Sequence, residues 1–247
     1  IPIHMTALIP VVAMPLTGIT SSELAAQSYW DYIQLLVIGT FLVDIALEQV
    51  QLPRRLVLLK LLHMGVVQPP TLLAIFMGVT WVFSMVCNNI AVTLIITPFA
   101  ITLLNSAEEH LRDDLANSPT HESASDAEEE GGIDAEDEVV TEVQRLGTGL
   151  LLGIAYASSI GGMATLTGSI PNFIMGGQDL TRPDITWVKW WVYASPLSTV
   201  CLIIAYAAIY IRYIKGLSLP LTPDIIMQEY EELEREIGIP REELCLG

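Results

Sequence analysis

The sequence predicts an all-α integral membrane protein, and three observations carry that prediction. Hydrophobic residues make up 52 % of the 247-residue chain and charged residues 16 %, against about 25 % charged in an ordinary soluble domain, and mean hydropathy is +0.51. Apolar stretches of near membrane length recur along the chain. Between two of them lies the charge-free text SSIGGMATLTGSIPN at 158–172, with three glycines, a proline and several hydroxyls. In water it would be a loop. Among membrane-length apolar segments it reads as a helix broken at bilayer depth, its backbone carbonyls and amides free to bind something small.

The net charge of −17 is concentrated outside the apolar segments: half of the 28 acids fall within 108–142 and most of the rest follow from Asp224 onward. The membrane part is therefore nearly neutral, and both acidic stretches exclude nucleic-acid binding, which wants basic patches. Three cysteines, Cys87, Cys201 and Cys245, make no disulfide framework. Four scattered histidines lack metal spacing. No nucleophile and base pair is visible, so an enzyme is not expected.

Ile3–Leu16 is apolar but shorter than the roughly 20 residues a span needs, with Pro10 and Pro15 to kink it; it reads as the end of a span whose start lies outside the sequence. Thr20 with Glu23 fits a capping box that opens a short helix. Tyr32–Val50 is the first complete span, with Asp44 and Glu48 on one face. A carboxylate at this depth is a functional candidate; the plainer reading turns the pair toward Arg54, Arg55 or Lys60. Pro53 starts an interfacial segment up to His63, and its basic residues place that end in the cytoplasm.

Pro69 and Pro70 open an apolar stretch at 71–87 that meets Asn88 and Asn89 and resumes at 90–104. As one helix it would run to about 34 residues, roughly 50 Å, against a hydrocarbon core of about 30 Å. Two adjacent asparagines are the natural interruption, because both tolerate turn conformations and both need polar partners. The expected form is a re-entrant hairpin over 68–104 with the asparagines at its tip; the alternative is two tilted spans joined by a tight turn.

Residues 105–145, rich in acids, serine and glycine and free of aromatics, read as a disordered cytoplasmic loop. The chain re-enters the membrane at 146–213. There a helix at 150–157, the broken stretch and a second helix at about 171–176 form one discontinuous crossing, the alternative being a kinked helix with glycines for packing. Ser158, Ser159, Thr165, Thr167 and Ser169 add hydroxyl ligands. Trp187, Trp190, Trp191 and Tyr193 make an interfacial aromatic cluster at the start of the last span, which ends at Arg212 and Lys215 on the cytoplasmic side. Residues 214–247 follow as a cytoplasmic linker segment with a narrow apolar face at Ile225, Ile226, Tyr230, Leu233 and Ile237.

The text YASSIGGMATLTGSIPN at 156–172 resembles the signature of the divalent anion/sodium symporter family, the sodium-coupled di- and tricarboxylate and sulfate transporters. GTFLVDIALEQVQLPRRLVL at 39–58 is similar to the span and interfacial helix before that family's first hairpin, and WVFSMVCNNIAVTLIITPFA at 81–100 to the hairpin itself. The resemblance covers about residues 3–213.

The resemblance implies the first of two inverted repeats of an elevator-type transporter, the N-terminal half only, with residues 1–67 as scaffold and much of 68–213 as the moving part. It implies symport of sodium with a di- or tricarboxylate (citrate, succinate) or sulfate, a homodimer, and a place in the lipid bilayer of the plasma membrane. Relatives carry Ser-Asn-Thr at the hairpin tip, matched here by Asn88, Asn89 and Ile90, so that only the central asparagine is kept. Thr167 and Gly168, with Pro171 and Asn172, match the loop that completes a sodium site and flanks the substrate. The implied substrate contacts are thus Asn88, Asn89, Ile90, Thr167, Gly168, Pro171 and Asn172, and the implied sodium ligands Asn88, Asn89 and Gly168, with Thr165 as a further one. Met163 stands where relatives usually have threonine, Ile170 where they have glycine, and Asp44 where they have a small apolar residue. A truncated or non-transporting membrane protein with a regulatory or dimerisation role is the alternative.

Overall fold

The computed structural model describes residues 3–30, 32–116, 129–178, 186–217, 226–227 and 230–231. All regular structure among them is helical. Three helices there are long and apolar enough to cross a membrane: Asn89–Arg112, Val140–Ala164 and Trp187–Ile214. The chain divides into two compact units, Ile1–Leu42 and Val43–Gly247.

In the first unit, α1 (Ile3–Leu16) ends at Gly18, whose φ of +72° suits a residue without a side chain. Gly18 N donates to Pro15 O and Ile19 N to Met14 O, both at 3.1 Å, so two of the orphan carbonyls of α1 are satisfied. Helix α2 (Ser22–Tyr29) follows, and the Tyr29 hydroxyl donates to the Ala7 carbonyl at 2.7 Å to hold it on α1. The cap of α2 is Ser21 and not Thr20: Ser21 has extended backbone angles and its Oγ accepts from Leu24 N at 3.2 Å. With the cap one residue later, Glu23 sits in the first turn but cannot close a capping box. Helix α3 (Tyr32–Val50) keeps the expected bounds of the first span.

The second unit takes up the end of α3. After Gln51, whose φ of 52° reverses the chain, α4 (Leu52–Met64) starts with Pro53 in its first turn and buries Val57, Leu58 and Leu61. Helix α5 (Pro69–Ser84) is opened by its two prolines and stops four residues before α6 (Asn89–Ala116). Helix α7 (Glu129–Ala164) is the centre of this unit, with α5, α6 and α9 (Trp187–Ile209) packed around it. Its core joins Leu72, Leu73, Met77, Ile96, Leu150 and Ile154, and Phe76 stacks on Phe99 with ring centroids 5.6 Å apart. Between helices in a bilayer such packing rests on van der Waals contact, since lipid tails are as apolar as leucine. A π-helical turn, Tyr210–Ile214, closes α9, with Lys215 N donating to Tyr210 O at 2.8 Å.

Four expectations change. The second arm was expected to stop at 104, too short to span, whereas α6 runs to Ala116 and its part Asn89–Arg112 has spanning length. The disordered loop expected over 105–145 is helical at both ends, in α6 and in α7 from Glu129, while 117–128 lie outside the described residues. Acid-rich text does not preclude helix where i,i+4 pairs form, as between Arg112 and Glu108 at 2.8 Å. The chain break expected over 158–172 is only 165–169, because α7 continues through both glycines to Ala164 before α8 (Ile170–Gln178) begins. Of the apolar face expected in the C-terminal linker, Ile226 is fully buried in the core and Tyr230 packs against it, so the chain is not solvated at these two points; Ile225, Leu233 and Ile237 lie outside the described residues.

Candidate functional site

Two helix interruptions meet. Residues 85–88 separate α5 from α6, and 165–169 separate α7 from α8. Each leaves carbonyls without partners at one helix end and amides at the next, and side-chain hydroxyls and amides of the two segments fill several of them. The Thr165 hydroxyl donates to the Met85 carbonyl and accepts from Gly168 N at 3.0 Å. Thr167 Oγ1 lies 3.4 Å from the same Met85 carbonyl. Asn172, in the first turn of α8, donates both amide protons backward, to Gly162 O at 2.9 Å and Thr165 O at 2.8 Å. It thereby caps the end of α7.

On the other side, Asn88 caps α6. Its Oδ1 accepts from Ile90 N at 3.0 Å, its carbonyl accepts from Val92 N at 3.2 Å, and its own amide donates to Asp44 Oδ1 at 3.1 Å. Asn89 points toward α7: its Oδ1 is 3.0 Å from Ser84 Oγ, and its carbonyl accepts from Thr93 Oγ1 at 2.7 Å and Ser158 Oγ at 3.1 Å. The fully buried Ser84 hydroxyl also reaches the Ser158 carbonyl at 2.6 Å, the shorter contact and the better seat for its single proton.

Close approach depends on two glycines. A β-carbon on Gly162 would overlap the Asn89 side-chain amide, and one on Gly168 would come within 2.7 Å of the Ser84 carbonyl oxygen and 2.9 Å of Gly162 Cα. A further chain of bonds fixes α9 to this region: Trp81 Nε1 donates to Ser198 Oγ at 2.8 Å, and Ser198 donates to the Ile160 carbonyl at 2.7 Å.

Of the residues singled out from the sequence, Asn89, Thr165, Thr167, Gly168 and Asn172 come together around Ser84 and Met85. Asn88 lies beside them but turns to Asp44, the Ile90 side chain is 68 % exposed, and Pro171 is exposed on α8. Asp44 does not join Arg54, Arg55 or Lys60; it is 7 % exposed and bonded to Asn88. The Arg54 guanidinium lies over the Phe99 ring, 5.2 Å from its centroid. Ser84, Thr93 and Ser198 are polar members that the sequence did not flag. Ser84 had one available signal, a lone serine one helical turn before Asn88.

The assembled groups are neutral oxygens at converging helix ends. The carboxyl ends of α5 and α7 bring partial negative charge, and the amino ends of α6 and α8 bring partial positive charge. Such a set suits a hard monovalent cation and, at the amide ends, an anion. No cluster of three His, Cys, Asp or Glu fit to hold a metal ion occurs among the described residues. Beside Asn89 opens a cleft of about 410 Å³, lined by the hydroxyls of Thr93, Ser158 and Ser159 and by the apolar Ile90 and Leu94.

Comparison with known proteins identifies the family. Residues 1–233 match the family described as the sodium:sulfate symporter transmembrane region. The chain is 29 % identical over 257 aligned positions to the sodium-dependent low-affinity dicarboxylate transporter 1 of Caenorhabditis elegans, covering 94 % of this chain and 44 % of that protein. It is 33 % identical over 219 positions to solute carrier family 13 member 2 of Mus musculus, covering 81 % and 37 %. To the sodium-dependent dicarboxylate transporter SdcS of Staphylococcus aureus it is 29 % identical over 239 positions, covering 94 % and 41 %. The chain thus spans less than half the length of the curated relatives it matches. These relatives are transporters named for sodium or as solute carriers, not enzymes. The chain belongs to the sodium:sulfate symporter family of integral membrane proteins.

Proposed function

We propose that this chain supplies one wall of the binding site of a sodium-coupled symporter for di- or tricarboxylates such as succinate or citrate, or for sulfate. The observation that carries the reading is the meeting of the interruptions at 85–88 and 165–169, cross-linked through the Met85 carbonyl, which accepts from Thr165 and lies 3.4 Å from Thr167 Oγ1. Sodium binds among Asn89, Thr165 and Gly168, with Ser84 completing the set and Asn88 holding the tip. The anion sits toward the amino ends of α6 and α8, near Ile90, Thr167, Pro171 and Asn172. Bound sodium then lowers the cost of bringing a dianion into a medium where Coulomb attraction far exceeds that in water.

On this reading 68–104 is a re-entrant hairpin and α7, 165–169 and α8 form one discontinuous crossing. The arm of α6 up to Leu104 matches α5 in length, about 24 Å each at 1.5 Å per residue, which is short of a 30 Å hydrocarbon core. The rest of α6, carrying Glu108, Glu109 and Arg112, extends into the cytoplasm together with 117–145. Residues 1–67 are scaffold, and the protein works as a homodimer in the plasma membrane by an elevator motion. The test is Asn89→Ala in the full-length protein: sodium-dependent uptake of succinate or citrate is lost, and unchanged uptake overturns the assignment.

A second reading, a non-transporting membrane protein, is favoured by one observation, the apolar and exposed Ile90 at the tip. Sodium-dependent thermal stabilisation by a dicarboxylate separates the two, because it arises only from a working site.

A further inference from the structure

Asp44 is a buried group near the tip that the proposed site leaves unused. Its side chain is 7 % exposed, at mid-helix in α3. Oδ1 accepts the Asn88 amide at 3.1 Å, while Oδ2 is buried without a hydrogen-bond partner. Glu48, one turn on in α3, is exposed. A buried carboxylate oxygen with nothing to satisfy it is costly, and buried charges are kept where they are paired or serve a cation.

The surroundings set what the charge does. The groups proposed to hold sodium, namely Asn89, Thr165, Gly168 and Ser84, are all neutral. Asp44 touches the residue next to Asn89, through the backbone that places Asn89. Because the carboxylate binds a main-chain amide, it fixes the tip whatever side chain Asn88 carries. Because it is buried, its field is screened little by salt.

We propose that Asp44 is a positioning residue for the sodium site, holding the Asn88 amide with one oxygen and supplying through the other the negative charge that the neutral ligands lack. This rests on the sodium-symport reading given above. An elementary charge within about 10 Å, at the effective dielectric of such sites, changes cation affinity on the order of tenfold or more. The dicarboxylate feels the opposite sign, so the effect on sodium and the effect on substrate separate.

The experiment uses the full-length protein. Asp44→Asn keeps an acceptor for the Asn88 amide and reproduces a carboxyl without charge, Asp44→Ala removes both, and Asp44→Glu keeps the charge. Two readouts are taken for each: the sodium dependence of thermal stabilisation in detergent without substrate, and the sodium dependence of succinate uptake. Asp44→Asn is expected to raise half-saturating sodium on the order of tenfold, with the succinate KM at saturating sodium unchanged or lower and the sodium-free melting temperature retained. Asp44→Glu is expected to restore most of the sodium affinity. Wild-type sodium dependence in Asp44→Asn overturns the proposal, including the case in which only Asp44→Ala is impaired, which marks a tether alone. If the unaltered protein shows neither sodium-dependent stabilisation nor uptake, the symport reading itself fails.

Discussion

The Ser84 hydroxyl donates to the carbonyl of Ser158 at 2.6 Å, a bond between α5 and α7 across 74 positions of sequence. Both residues are buried, and Asn89 Oδ1 lies 3.0 Å from the same hydroxyl. Ser84→Ala leaves the buried Ser158 carbonyl short of a partner, at a cost of about 1–3 kcal/mol. Thermal unfolding in detergent is expected to show that loss. It is also expected to show a smaller upward shift on adding sodium than the unaltered protein gives, since the oxygen beside Asn89 Oδ1 is lost. A variant with equal stability and an equal sodium shift makes the bond incidental.

Gly161 lies where α7 packs against the backbone of α5. A β-carbon there overlaps the Trp81 carbonyl and meets Ser84 Cβ at 3.0 Å, both on a helix that cannot give locally. Alanine is favoured over glycine inside a helix by about 1 kcal/mol, so local propensity alone predicts a gain from Gly161→Ala. Packing predicts the reverse, a loss of about 1–3 kcal/mol from overfilling. Gly78→Ala is the control, because nothing lies within 4 Å of its added β-carbon. The pair is expected to move melting temperature in opposite directions, and a stabilised Gly161→Ala would show that α5 and α7 are not in contact at this level.

Those glycines also explain what the sequence revealed and what it hid. Gly161 and Gly162 read as the start of a chain break, yet they are helical and serve Trp81 and Asn89 on facing segments; the break waits for Thr165. A glycine needed for close approach and one needed for chain reversal look alike in a string. Helix starts were more legible: Pro69 and Pro70 open α5, and the tryptophans open α9 behind the Thr186 cap. Ser84 was missed because a lone serine in an apolar helix has no compositional signature and its partner is far away in sequence. Asp44 was assigned to arginines by proximity along the chain, whereas its partner Asn88 is 44 positions away.

Ile90 tests what the tip recognises. Ile90 is 68 % exposed and lines the cleft beside Asn89 together with Thr93, Ser158 and Ser159. An apolar group there offers no hydrogen bond to a substrate hydroxyl or carboxylate. Ile90→Thr adds one neutral donor, worth about 0.5–1.5 kcal/mol. Uptake competition between malate and succinate in the full-length protein is therefore expected to shift toward malate by about 2- to 10-fold. An unchanged ratio places Ile90 outside the substrate contact.

Asn172 holds the end of α7 with two donors, and the sign of its contribution is open to a direct test. Its amide protons go to the Gly162 and Thr165 carbonyls at 2.9 and 2.8 Å. Asn172→Ala removes both, and the loss is about 1–3 kcal/mol for the orphaned carbonyls. Asn172→Asp keeps the shape but sets a carboxylate oxygen against two carbonyl oxygens, so repulsion adds to the lost bonds and the variant is expected to be the less stable of the two. Sodium separates this from ordinary destabilisation. If the 165–169 segment is one wall of a sodium site, a cation beside it relieves the repulsion in Asn172→Asp, and added sodium is expected to recover more melting temperature in that variant than in Asn172→Ala. Equal recovery in both removes the cation from the neighbourhood of Thr165 and Gly168, whatever the fate of transport.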